Sequence, residues 1–250
     1  MDPLEAVVIV VAGIGAGAIN TVVGSGTLLT FPVLIALGYA PLVANVSNNV
    51  GLVPGAIAGA IGYRRELEGQ ARRALSLGVV SVAGGLAGAA LLLVLPASAF
   101  DAIVPALIAL ALVLVLVQPL VDRKLAERPR PSADNGLALR AAVTASGVYG
   151  GYFGAGQGIL LVGILGIGLR DTLQRINALK NVLAGVVNLT ASVVFVIAAN
   201  VDWAVAGLIA AGSIAGAVAG ARYGRRLSPT ALRVLIVIVG MVAIARLTLG

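Results

Sequence analysis

Residues 176–197 read INALKNVLAGVVNLTASVVFVI, an apolar stretch long enough to cross a bilayer that nevertheless carries Asn177, Lys180, Asn181 and Asn188. A second apolar stretch, 43–62, carries Asn45, Ser47, Asn48 and Asn49. Amides and hydroxyls both donate and accept hydrogen bonds, and an ammonium only donates. What is missing narrows the chemistry further. No carboxylate lies well inside an apolar segment, because Asp101 and Asp202 stand at segment starts. Ion and proton relays inside membranes usually use buried carboxylates. There is no histidine and no cysteine, so the commonest general base, the thiolate metal sites and disulfides are excluded, and neither a metal nor a cofactor is expected. Interior donors without interior carboxylates suit a small anion.

The elements that must position these groups follow from composition. The chain has 250 residues, 60% hydrophobic and 11% charged, with 33 glycines. An ordinary soluble domain is about a quarter charged. The sequence therefore predicts an all-α polytopic membrane protein, with glycine serving close helix packing in lipid. The net charge of +7 comes from arginines in short loops, which read as topology signals and not as a nucleic-acid surface. The acidic N-terminus, MDPLEAVVIVV, reads as a retained first segment and not as a signal peptide.

The chain divides into two similar halves. GSGT at 24–27 matches GAGQ at 154–157, NVSNNV at 45–50 matches NALKNV at 177–182, and SVAGGLAG at 81–88 matches SIAGAVAG at 213–220. Three matches in one order indicate an internal duplication, the usual build of transporter folds. Repeat 1 covers 1–121, with a segment at 5–38 and spans at 43–62, 74–95 and 101–120. Residues 122–137 form a charged linker. Repeat 2 covers 138–250, with a segment at 138–169 and spans at 176–198, 203–221 and 230–248. The 5–38 and 138–169 segments are too long for one span and short for two. A Gly-X-Gly breaks each, so each is expected to be a helical hairpin.

Charge distribution supports that expectation. If each hairpin enters and leaves on one side, the second repeat is inverted relative to the first. The 64–73, 122–137 and 222–233 loops are then cytoplasmic, and 16 of 17 basic residues lie inside, with Arg246 the exception. Two single spans would give only 10 of 17. Both termini are expected outside the cytoplasm.

In each hairpin the second helix starts just after the break, so its N-terminal N–H groups and positive dipole end face the interior, which favours an anion. The candidate substrate-binding residues are Ser25, Thr27, Asn45, Asn48, Asn49, Gln157, Asn177, Lys180, Asn181 and Asn188. Blander roles compete. The glycines serve packing alone, the asparagines serve as interhelical bonds worth about 1 kcal/mol each, and Lys180 snorkels to the interface beside Arg175. Tyr63 and Trp203 read as interface anchors. A Ser25–Lys180 dyad is the one hydrolytic arrangement the composition permits; the reading here is that the chain is not an enzyme. No strand precedes either Gly-X-Gly, which argues against a nucleotide loop.

The stretches GAGAINTVVGSGTLLTFPVLIALGYAPLVANVSNNVGLVPGAIAGAIGYRREL and ALKNVLAGVVNLTASVVFVIAANVDWAVAGLIAAGSIAGAVAGARYGRRL resemble the two halves of the sulfite exporter TauE/SafE family of membrane transporters. The resemblance implies transport of sulfite, an organosulfonate or a similar small organic anion across the bacterial inner membrane. Many members have Thr-Ser where this chain has Ser47-Asn48, and a further glycine where it has Thr27 and Gln157. The expected partners are a small anion and the lipid bilayer, with a homodimer left open. The expected mode is alternating access, against an anion channel or a non-transporting assembly or sensor subunit.

Overall fold

The computed structural model describes residues 1–127, 136–223 and 229–249. Residues 128–135 of the expected linker and 224–228 of the expected 222–233 loop lie outside the described residues. The described residues form ten helices: α1 (Pro3–Val22), α2 (Thr27–Ala36), α3 (Pro41–Gly62), α4 (Ala71–Val94), α5 (Ala97–Glu127), α6 (Gly136–Tyr152), α7 (Gln157–Gly168), α8 (Leu173–Ala198), α9 (Trp203–Tyr223) and α10 (Pro229–Leu249). There is no strand among them. Five helices, α1, α4, α5, α8 and α9, are long and apolar enough to cross a membrane. At 10 and 12 residues, α2 and α7 are too short.

Local chemistry starts several of these helices. Pro3 and Pro41 occupy first-turn positions, where the missing N–H costs nothing. Thr172 caps α8 by accepting from Arg175 N at 3.4 Å. Asp202 caps α9 by accepting from Ala204 N and Val205 N, both at 3.0 Å. Asp202 therefore has a local structural partner and stands at a helix start.

Small residues set the packing. On α1 and α9, Gly13 lies against Ile209 and Gly212, Gly17 against Ser213, and Gly220 against Ala18. The numbers rise together, so α1 and α9 run in the same direction. Gly51 against Ile209, Gly55 against Ser213 and Gly62 against Ala221 make α3 parallel to them. On the other side, Gly84 lies against Thr144 and Gly147, and Gly88 against Val148 and Tyr152, so α4 and α6 are parallel. Gln70 reaches Arg175 and Gly85 reaches Val187, so α8 shares their direction. Between the two sets, Asn49 pairs with Ser192 and a Cβ on Gly185 would lie 3.5 Å from Ala56, so α3 and α8 are antiparallel. Apolar side chains such as Val79, Val94, Leu116 and Ile197 remain outward-facing, as a hydrocarbon solvent requires.

The short helices return the chain toward its starting point. Tyr39, just beyond α2, donates to Glu5 at the start of α1 at 2.5 Å. Burial and that bond push the Tyr39 phenol up to about 12. Gly168, at the end of α7, packs against Leu139 near the start of α6.

Candidate functional site

The break between α1 and α2 and the break between α6 and α7 are closed in the same way. Val23 N and Gly24 N both donate to Ile19 O, and Phe153 N and Gly154 N both donate to Tyr149 O. Gly24, Gly154 and Gly156 have φ values of 90°, 78° and 78°, a region that penalises any side chain. The two breaks also touch. Gly158 N donates to Gly24 O at 3.0 Å, and a Cβ on Gly158 would lie 2.4 Å from Gly24 Cα. Only glycine fits on either side of that contact.

A helix end leaves its last carbonyls without intrahelical donors and carries partial negative charge. At the end of α1 those carbonyls are Asn20 O and Thr21 O. Lys180 Nζ donates to Asn20 O at 3.0 Å and to Thr21 O at 3.4 Å. Asn177 Nδ2 and Asn181 Nδ2 each donate to Thr21 O at 3.3 Å. Lys180 is 0% exposed, so its ammonium is held inside the protein and does not reach an interface. The spacing explains the convergence, since Asn177 and Asn181 are one turn apart on one face of α8 and Lys180 adjoins it.

At the end of α6 the same task falls to Asn45, whose Nδ2 donates to Tyr152 O at 3.0 Å. Asn48 turns to the neighbouring short helix: its Nδ2 donates to Thr27 Oγ1 at 3.4 Å, and its Oδ1 accepts from Thr30 Oγ1. Asn49 Oδ1 accepts from Ser192 Oγ at 2.9 Å. Asn188 is half-buried on α8, seven residues beyond Asn181.

Seven of the ten candidate residues thus fall into two groups at opposite ends of the antiparallel α3–α8 pair. Asn177, Lys180 and Asn181 gather at the end of α1. Asn45, Asn48, Asn49 and Thr27 gather near the start of α3. Asn49 is level with Ser192, eleven residues beyond Asn181, so the groups are about 16 Å apart along α8. Segment 21–27 reaches both, with Thr21 in the first and Thr27 in the second. Within it Ser25 is 1% exposed, and its Oγ has no hydrogen-bond partner among the described residues. In the other break Gln157 is 3% exposed, and its Nε2 likewise has none. No hydrogen bond joins Lys180 to Ser25 among the described residues, and Lys180 is committed to carbonyls.

Several participants escaped sequence reading. Thr30 stands one turn beyond Thr27 and shares its face, a signal that was present. Ser192 and the carbonyls of Asn20, Thr21 and Tyr152 carried none, because a backbone acceptor becomes special only where a helix stops. A cavity of about 210 Å³ reaches Val22 and Asn177, with Tyr63, Gln118 and Asp122 also on its wall, and so adjoins the Lys180 group. Among the described residues every buried polar side chain is an amide, a hydroxyl or Lys180, with no buried carboxylate. No cluster of three potential metal ligands occurs among them either.

A helical membrane protein whose interior donors collect around two broken helices is built like a transport protein. Comparison with known proteins agrees. The family model for the sulfite exporter TauE/SafE family matches residues 9–247, and the chain belongs to that family. It is 28% identical over 257 residues to the "Probable membrane transporter protein YfcA" of Escherichia coli (strain K12), covering 99% of this chain and 91% of the relative. It is 28% identical over 239 residues to the "Probable membrane transporter protein ORF9" of Sinorhizobium sp, covering 95% and 90%. A "Probable membrane transporter protein" of Haemophilus influenzae is 25% identical over 240 residues, covering 94% and 91%. No solved structure matches the chain.

Proposed function

We propose that this protein is a secondary transporter that moves a small anion, of the sulfite, organosulfonate or similar organic class, across the inner membrane by alternating access. The observation that carries the reading is a pair of unpartnered buried donors at the breaks, Ser25 Oγ and Gln157 Nε2, in an interior that among the described residues holds one ammonium and no carboxylate. An unsatisfied buried polar group costs about 1–3 kcal/mol. A bound oxyanion would satisfy both donors, with the N-termini of α2 and α7 adding their dipoles. Among the described residues the hydrogen bonds of Lys180 Nζ go to backbone carbonyls and not to a carboxylate, so a net positive field remains to balance the substrate.

The halves act as inverted repeats, each a hairpin followed by three spans. That assignment is supported by the opposite directions of α3 and α8, and by the matched pairing of α1 with α9 and α6 with α4. The bond from Tyr39 to Glu5 and the contact of Gly168 with Leu139 support hairpins that leave where they enter. The two polar groups serve as successive stations for the anion. Rocking of one repeat-derived bundle against the other exposes each in turn.

Purified protein in liposomes, loaded in turn with sulfite, organosulfonates and carboxylates, tests the function. Saturable flux of one anion class is expected, and absence of flux for all of them would refute transport. Topology has its own test, since the chain has no native thiol. Glu68→Cys and Arg222→Cys should label from one face of the membrane and Asn200→Cys from the other. Labelling of Arg222→Cys from the face opposite to Glu68→Cys would refute the inversion.

A further inference from the structure

At the end of the bundle where α4, α6 and α8 begin, a cavity of about 610 Å³ opens among arginines. Arg72 and Arg73 come from α4, Arg140 from α6 and Arg175 from α8. Among the described residues Asp171 is the one carboxylate on the wall, and it is engaged by Arg73 at 2.9 Å and Arg175 at 2.7 Å. Arg140 donates to Ser76 at 3.0 Å, which fixes its guanidinium over the opening while other N–H groups remain to donate. Among the described lining residues four guanidiniums face one carboxylate, which makes the wall strongly basic in a space the size of a ligand pocket.

The rest of the wall is apolar. Leu77, Leu139 and Leu169 line the cavity beneath the arginines. At Leu139 it adjoins a groove of about 190 Å³ between α6 and α7, floored by Ala138, Ala142 and Gly168 and flanked by Ile164 and Ile167. Ile167 is 49% exposed at its edge. A soluble anion has no use for such a groove, whereas an acyl chain does.

We infer that this is a binding site for an anionic phospholipid, its phosphate held by Arg72 and Arg140 beside the Arg73–Asp171–Arg175 clasp and one acyl chain lying in the α6–α7 groove. Guanidinium pairs phosphate oxygens through two parallel bonds, and basic pockets between membrane helices suit anionic headgroups. Because the clasp ties α4 to the α7–α8 connection, a bound lipid reinforces a junction between the two halves of the chain. The site does not depend on which anion the protein transports, or on whether it transports one.

Delipidated full-length protein in detergent, followed by thermal unfolding, tests this. Phosphatidylglycerol should raise Tm by about 5 °C at saturating concentration, and phosphatidylcholine should do much less. Arg72→Gln, which breaks no hydrogen bond or ion pair among the described residues, should weaken phosphatidylglycerol binding about tenfold with Tm unchanged in its absence. Arg72→Gln/Arg140→Gln should abolish the difference between the two lipids. Ile167→Trp, which fills the groove, should weaken the lipid effect while leaving the arginines intact. Equal stabilisation by phosphatidylcholine would overturn the proposal, as would the same shift from inorganic phosphate or glycerophosphoglycerol, which would make this a soluble-anion site. So would the absence of any shift.

Discussion

Asn48 and Lys180 are 132 residues apart, at matching places in the two halves of the sequence, and both are buried to 1% exposure or less. They do different work. Asn48 is neutral and bonds to the hydroxyls of Thr27 and Thr30 on α2. Lys180 is cationic and bonds to the last carbonyls of α1. Their neighbours behave alike: Asn45 caps the end of α6, and Asn177 caps the end of α1. The amide caps thus recur in both regions and the charge does not. A neutral amide suffices where hydroxyls face it, whereas an ammonium, which costs roughly 3 kcal/mol inside a membrane, persists only where the negative end of a helix faces it.

The largest expected effect breaks both regions together. Gly158→Ala would drive a Cβ to 2.4 Å from Gly24 Cα, against backbone that cannot rotate away. It should destabilise the protein by about 3 kcal/mol and abolish flux, as read by denaturant titration in detergent and by liposome assay. Gly78→Ala, whose Cβ meets open space, is the matched control. It should be neutral or stabilising by about 0.5–1 kcal/mol.

Next comes the asymmetry itself. Lys180→Gln should weaken anion binding roughly tenfold to a hundredfold, about 1.4 to 2.8 kcal/mol, with the fold retained. Asn48→Ala should cost around 1 kcal/mol. Isothermal titration with the transported anion compares the two, and equal losses would mean that the ammonium only caps α1. The smallest effects belong to the shared caps. Asn45→Ala and Asn177→Ala should each cost about 1 kcal/mol of stability and should resemble each other, since each removes one donor from one helix end. Asp101→Asn and Asp202→Asn should leave flux intact, because Asp101 is exposed and Asp202 holds the start of α9. Lost flux in a folded Asp202→Asn variant would instead assign it to coupling.

Much of this architecture was legible beforehand. Apolar runs marked where helices would lie, because a bilayer demands about 20 apolar residues per span, but not where they end, since α5 runs Ala97–Glu127 where 101–120 was expected. The expected 176–198 span became Leu173–Ala198, and the expected 203–221 span became Trp203–Tyr223. The polar residues were also visible, because a lysine or an asparagine in hydrocarbon is rare enough to stand out. Their partners were not. Periodicity places Asn177 and Asn181 on one face but cannot say that α1 ends at Val22 against that face.

By itself the sequence determined that the chain is helical and membrane-embedded, that three short motifs recur along it in one order, and that its interior donors lack interior carboxylates. These follow from composition and local spacing, which tertiary packing does not change. Only the tertiary structure decided that the donors form two groups and not one, and that the ammonium rests on helix carbonyls. It alone brought Gly24 against Gly158 across more than half the chain, and arginines from three helices around one cavity. The reason is that such meetings depend on where helices stop and which way they run, and those are properties of pairs of segments that no single segment encodes.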